Sequence, residues 1–414
     1  MNEKLTICYN AWMIFNENDN YDDLIFQIAD RGFNCIRIES GAGLIWDESG
    51  NVREDVLILA PFGKYTKYTT WKVVADNKRI NILERLLKVC HAAKKHNVKV
   101  ILSSWFFLHT NWFLEEADKE RIYALSTEGK MSYFADELSR ILDVLRKEDL
   151  IDIVAFAEIF NEFDGLPFGG EYSGKLTVDE ANRLRILHEK EIEKLKKQHP
   201  EILFAFDTYT PSVMKELIPR NIDVFNFHSY YLWPIYFEFE KGLVCRSLEE
   251  FEEIPAETRY FLKDELVSVK EVIESMDNFR SGEAWPRRIS LYLSIDKQKE
   301  NELTMFLDNK LKENMEHYRK RFRDAIDKIM STHNEIVPNS RLVMGEGPTY
   351  CGSPTLAFER DSEHFWKLMK EQMEYANEKG LWGTVIATTH APERTVAWEP
   401  CKDLYVELNR AFLK

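Results

Sequence analysis

The chain has 414 residues, 44% apolar and 30% charged, a balance that excludes disordered, collagen-like and disulfide-framework classes and allows a large buried core. Acidic residues outnumber basic ones 70 to 55, giving a formal net charge of −15, so phosphate backbones and anionic lipid surfaces are repelled on average and neither nucleic acid nor a membrane is expected as partner. Six cysteines (Cys8, Cys35, Cys90, Cys245, Cys351, Cys401) lack any C-x-x-C spacing, the N-terminal MNEKLTICYN has no leader pattern, and no apolar run nears the roughly 20 residues that cross a bilayer, so a soluble, cytoplasmic protein with reduced thiols is expected.

The apolar run Leu5 to Tyr9 reads as a first strand, Tyr21 to Ala29 as a helix, and Asn34 to Ile38 as a second strand. The unit then repeats. Leu83, Leu86, Leu87, Cys90 and Ala93 recur at helical spacing and lead into the branched run Val98 to Leu102. A helix over Ser132 to Arg146 precedes Ile151 to Phe160, and Thr177 with Glu180 forms a capping box that opens a long charged helix ending near His199. Further strands are predicted at Ile202 to Phe206, Ile222 to Phe227, Arg341 to Met344 and Gly383 to Ala387, the last preceded by the helical spacing of Phe365, Trp366, Met369, Met373 and Ala376.

Eight strands alternating with helices predict a closed (β/α)8 barrel, a TIM barrel of the α/β class, with chemistry placed on the loops after the strand C-termini. An open doubly wound sheet is the rival, yet Tyr9-Asn10-Ala11-Trp12 after the first strand lacks the glycine-rich turn such folds often carry. One catalytic domain over 1–414 is expected, with long insertions after strands two and six, residues 232–302 forming an insertion or lid. Residues 39–76 carry Trp46, Tyr65, Tyr68 and Trp71; residues 232–302 carry Trp233, Tyr236, Phe237 and Trp285. Any one of these aromatics is best read as packing, while the set is expected to include a few sugar-stacking faces.

Two glutamates end apolar runs on the predicted active face. Glu162 follows Ile153 to Phe160 and Asn161, and Glu346 follows Arg341 to Met344 between Gly345 and Gly347. The dipeptide Asn-Glu also occurs at five other places, so position rather than composition singles out Glu162. Carboxylates at the tips of strands four and seven would face each other across the barrel mouth, the arrangement glycoside hydrolysis requires, with a separation of about 5 to 5.5 Å in the retaining version.

With these residues in place, the sequence resembles the clan A glycoside hydrolases, and within them the family 5 cellulase-like enzymes. The likeness rests on Gly32-Phe33-Asn34-Cys35-Ile36-Arg37-Ile38, Phe160-Asn161-Glu162, Asn226-Phe227-His228-Ser229-Tyr230 and Met344-Gly345-Glu346-Gly347, four motifs in order on the expected strands. It implies a retaining hydrolase of β-glycosidic bonds in an oligosaccharide or other glycoside, with Glu346 as nucleophile, Glu162 as acid/base and no metal or organic cofactor. Arg37, Asn161, His228 and Tyr230 would contact substrate or hold the nucleophile, joined by Trp12, Trp105 and Trp398. The pattern departs at two strands: Ser103-Ser104-Trp105, with His109 further on, stands where a polar residue such as histidine is common, and Ala387-Thr388-Thr389-His390 stands where a tryptophan is usual. These departures leave a second reading, a non-catalytic cellulase-like sugar-binding barrel. A metal-dependent hydrolase finds no ligand cluster, since His91 and His96 do not share the i, i+4 spacing that binds zinc from one helix face.

Overall fold

The computed structural model describes residues 3–69, 73–166, 176–232, 256–276, 284–348 and 357–414. Eight parallel strands close into a barrel: β1 (Leu5–Tyr9), β2 (Cys35–Glu39), β3 (Lys99–Ser103), β4 (Val154–Glu158), β5 (Phe204–Thr208), β6 (Val224–His228), β7 (Arg341–Glu346) and β8 (Gly383–Val385), with β8 pairing back onto β1. Strands β1, β2, β5 and β6 are buried along their whole length, which is why they read as unbroken apolar runs rather than alternating ones.

Helices α1 (Tyr21–Asp30), α2 (Ile82–Lys95), α3 (Thr127–Lys147) and α4 (Val178–Gln198) follow the first four strands. Helices α5 (Glu300–Glu313) and α6 (Met315–Ile336) precede β7, α7 (Glu363–Glu378) joins β7 to β8, and α8 (Lys402–Leu413) closes the chain. The Thr177–Glu180 capping box forms as the sequence predicts, each residue bonding the other's backbone N–H. The regular alternation fails once. Between β5 and β6 the chain makes only the three-residue helical turn Lys215–Leu217, because Pro211 and Pro219 punctuate a connection too short for a packed helix.

Between β2 and β3 two short strands, Val56–Ile58 and Lys78–Ile80, pair antiparallel. Of the described aromatics of this stretch and of the one after β6, Trp46 and Trp285 are buried, and Tyr65 and Tyr68 are half-buried against the core. Trp46 is covered by the Arg140 guanidinium at 4.0 Å, and Phe62 meets Trp285 at 5.7 Å, joining the two stretches. Trp71, Trp233, Tyr236 and Phe237, with Cys245 and Cys351, lie outside the described residues. Cys8, Cys35, Cys90 and Cys401 are buried free thiols. Among the described residues no helix is long and apolar enough to cross a membrane.

Candidate active site

The C-terminal ends of β2, β4, β5, β6 and β7 converge on one guanidinium. Arg37, on β2, is fully buried; its Nη1 donates to Glu346 Oε1 (2.6 Å), and its Nη2 donates to Glu158 (2.7 Å), Asn161 (2.8 Å) and Asp207 (2.9 Å). Burial alone would lower its affinity for the proton, but Glu158, Asp207 and Glu346 outweigh that and hold the charge firmly in place. The Trp105 ring flanks the guanidinium at 4.7 Å. A cation fixed by three carboxylates cannot swing away, so it serves as a rigid reference point for the site.

Glu346, at the end of β7, takes the Arg37 bond on one oxygen and the Tyr230 hydroxyl on the other, with His228 Nε2 at 3.4 Å. Gly345 before it is required: a Cβ there would sit 2.4 Å from Asn226 Oδ1. Asn226 fills that space and donates to Glu158 (2.7 Å) and Asp207 (2.6 Å), tying β6 to β4 and β5. Gly347, at φ +130°, lies against the Ser229 carbonyl in a conformation and a space closed to larger residues.

Glu162 adopts a left-handed backbone conformation (φ 50°, ψ 53°), uncommon for a glutamate, just past β4. Asp207 Oδ1 accepts its backbone N–H at 2.6 Å, which holds that turn. Its carboxylate lies 2.8 Å from His228 Nδ1, while His228 Nε2 faces Asp207 at 3.1 Å. Burial would lower the imidazole, but Asp207 and Glu346 together with these bonds hold its pKa well above the usual value, so both ring nitrogens donate. Burial pushes Glu162 up to about 7; the bond and charge of His228 oppose the rise, and Glu346 and Asp207 add to it. A carboxylate oxygen of Glu162 lies within 4.8 Å of one of Glu346.

Of the residues singled out in the sequence, Arg37, Asn161, Glu162, His228, Tyr230 and Glu346 meet here. Trp105 supports Arg37 from the side, and Trp12, 1% exposed, packs edge-on against Trp105 and Phe113 one layer outside. Trp398 is not brought to the site: its indole N–H donates to Gln27, its ring stacks on Phe33, and Arg31 covers it, so it is spent fastening α8 to the end of α1. His109 sits among Trp12 and Trp112, and burial lowers it to about 4, so it is neutral. His390 is buried between Glu359 (2.9 Å) and the Tyr405 hydroxyl (2.9 Å).

Asp207, Asn226, Glu158 and Glu39 escaped notice as site residues. Asp207 follows the predicted strand Ile202 to Phe206, so the strand-end rule that picks out Glu162 and Glu346 reaches it too. Glu39 ends β2 and accepts the Trp105 N–H (2.9 Å) and the Thr110 hydroxyl (2.7 Å), fixing the loop that carries Trp105; burial raises it to about 7. Among the described residues, Glu162, His228 and Glu346 form the one group of donors near enough together to share a cation. Each Glu346 oxygen in that group already accepts one hydrogen bond, from Arg37 or from Tyr230.

A model of the cellulase-like family described as "sugar-binding cellulase-like" matches residues 11–412. No curated protein matches the sequence. Among solved structures, a candidate glycoside hydrolase from Parabacteroides distasonis shares 15% identity with a TM-score of 0.67, over 100% of this chain and 94% of its own. A broad-specificity endoglucanase from Clostridium longisporum shares 12% identity with a TM-score of 0.48, over 99% of this chain and 97% of its own. At such identities the first likeness speaks for the fold alone.

Proposed function

The chain belongs to the sugar-binding cellulase-like family, and on that premise we propose that it is a retaining glycoside hydrolase acting on β-linked oligosaccharides. The observation that carries the reading is the Glu162–Glu346 pair: two carboxyl groups within 4.8 Å at their nearest ligand atoms, in environments that divide acid from nucleophile. So close an approach supports the retaining arrangement, with carboxyls about 5 to 5.5 Å apart, over the inverting one, which seats a water between carboxyls about 6.5 to 9.5 Å apart.

In this reading Glu346, held by Arg37 and Tyr230, attacks the anomeric carbon with one oxygen while the other keeps its bonds. Glu162, with its pKa at about 7, carries a proton at neutral and mildly acidic pH and gives it to the leaving oxygen. Ester formation removes the Glu346 charge, one of the causes that hold Glu162 up, so Glu162 then becomes the base that draws a proton from water. Arg37 occupies Asn161 Oδ1, which turns the Asn161 amide N–H toward donation to the sugar 2-hydroxyl.

The test is mass-spectrometric: incubation with activated 2-fluoro glycosides should label Glu346, and a chromogenic glycoside screen should show turnover by the wild type and none by Glu346→Gln. A label on another residue would refute the assignment. A second reading, sugar binding without hydrolysis, is favoured by the tip of β8, where Thr388, Thr389 and His390 are all buried and present no aromatic face. Binding across a glycoside panel with no turnover of any member would select it.

A further inference from the structure

The wall of the site formed by His228 and Tyr230 continues outward into a second space. A cavity of about 380 Å3, open to solvent, runs from these residues past Tyr209, Pro211 and Ser212 to one face of α6, where Arg321, Asp324 and Lys328 line it. Tyr209 is 42% exposed, with its ring 6.3 Å from that of Tyr230. The turn that carries it is fixed, since Asp164 accepts both the Tyr209 N–H and the Thr208 hydroxyl at 2.8 Å. Burial first, and then the charges of Glu162, Asp164 and Glu346, raise the Tyr209 phenol.

The charges are unevenly spent. Asp324 is neutralised by Lys320. Lys328 donates to Ser212 Oγ at 2.7 Å and keeps its full charge. Arg321 is exposed and makes no hydrogen bond, ion pair or ring contact among the described residues, so its planar fork of donors stands open on the cavity. Arg321 and Lys328 leave this rim one positive charge in excess of Asp324, in a chain of net charge −15.

Resting on the reading of Glu162 as acid/base, we propose that this cavity receives the sugar on the leaving-group side of the scissile bond and selects sugars that carry an anionic group, a uronate or a phosphate. The ring would lie on Tyr209, and the anion would meet Arg321 and Lys328. The side follows from chemistry: the group that protonates the departing oxygen faces the departing sugar, and the cavity opens from the His228 and Tyr230 wall next to that group. Bidentate pairing of a guanidinium with a carboxylate or phosphate supplies the preference, and rim exposure makes it sensitive to salt.

Titration calorimetry with glucuronate, glucose 6-phosphate and glucose, on the wild type, Glu346→Gln, Tyr209→Ala and the double variant Arg321→Gln/Lys328→Gln, tests this without turnover. At low salt at least one anionic sugar should bind about tenfold or more tightly than glucose in both the wild type and Glu346→Gln, and which one does identifies the anion. The preference should shrink at high salt and vanish in the double variant, while Tyr209→Ala weakens all three sugars. Equal affinity for charged and uncharged sugars, or a preference that survives the double substitution, overturns the proposal. A preference present without 2-fluoro labelling of Glu346 would sink only the hydrolytic reading, and labelling without a preference would sink only this one.

Discussion

Glu162 shows how a single residue is prepared for two opposite tasks. Its left-handed backbone is unfavourable for a glutamate, and the Asp207 bond to its N–H offsets that cost while aiming the side chain at His228 and Glu346. Its proton affinity is a balance of burial, His228 and Glu346, so each partner can be removed with a known sign. Glu346→Gln takes away a charge that raises Glu162 and should lower its pKa, mimicking the esterified state; His228→Asn takes away a bond and a charge that lower it and should raise it. Carbon-13 NMR titration of labelled glutamate carboxyls in the two variants reads both shifts, and movement in the same direction for both would contradict the balance. In turnover, Glu162→Ala should slow glycosides with poor leaving groups about 100- to 10,000-fold and aryl glycosides with good ones far less, as a plot of rate against leaving-group pKa would show.

At the level of strands, the site is a set of crossings between barrel tips. In the ring β4 and β7 are separated by β5 and β6, and the gap between their glutamates is bridged by Asp207 and His228 from those two intervening strands. Asn226 is the cross-brace, and Gly345 is what lets it in. Gly345→Ala should therefore cost about 1 to 3 kcal/mol in a urea melt and lower activity with it, because the new methyl can be housed only by expelling Asn226 from Glu158 and Asp207. This is also where the sequence was most readable. Every barrel strand lies within two or three residues of its predicted run, because parallel strands buried on both faces leave unbroken apolar stretches; only the lead-in Ile151–Ile153 is a helical turn rather than strand. The glutamates were visible because they break those stretches at the tip. Asp207 and Glu39 break theirs in the same way, yet they lack a neighbouring glycine or asparagine to draw the eye. Trp398 shows the converse limit: sequence order alone does not tell an aromatic near the last strand from one packed on Phe33 and Arg31. The missing helix between β5 and β6 was hidden for a similar reason, since a short connection can return the chain between adjacent strands with no periodic signal of its own.

Over the whole molecule, buried ionisable groups set how stability varies with pH. His109 and His188 are lowered by burial to about 4 and about 3, so between those values and 6.5 the unfolded chain binds protons that the folded one refuses, and stability rises with pH through that window. Glu39 and Glu162 act in the opposite sense. Raised mainly by burial to about 7 from 4.5, they keep protons in the folded state that the unfolded state has released, so their stabilising effect is complete below 4.5 and lost as pH climbs to about 7. His228, held well above its ordinary value, adds a further loss that begins above 6.5, and buried Glu158, Asp164 and Glu137, all raised, add more on the same side. From 4.5 to 6.5 the two histidines and the two glutamates roughly cancel; below that window the histidines dominate, and above it only losses remain. The melting temperature should therefore peak in mildly acidic solution and be higher at about pH 5.5 than at about pH 8.5. Calorimetric scans across that range check this, with Glu39→Gln expected to flatten the alkaline decline because the amide removes one of the titrating groups while keeping an acceptor for the Trp105 N–H. A melting temperature that holds level or rises from about pH 5.5 to about pH 8.5 would mean that these carboxyls are hydrated in solution and do not retain their protons through burial.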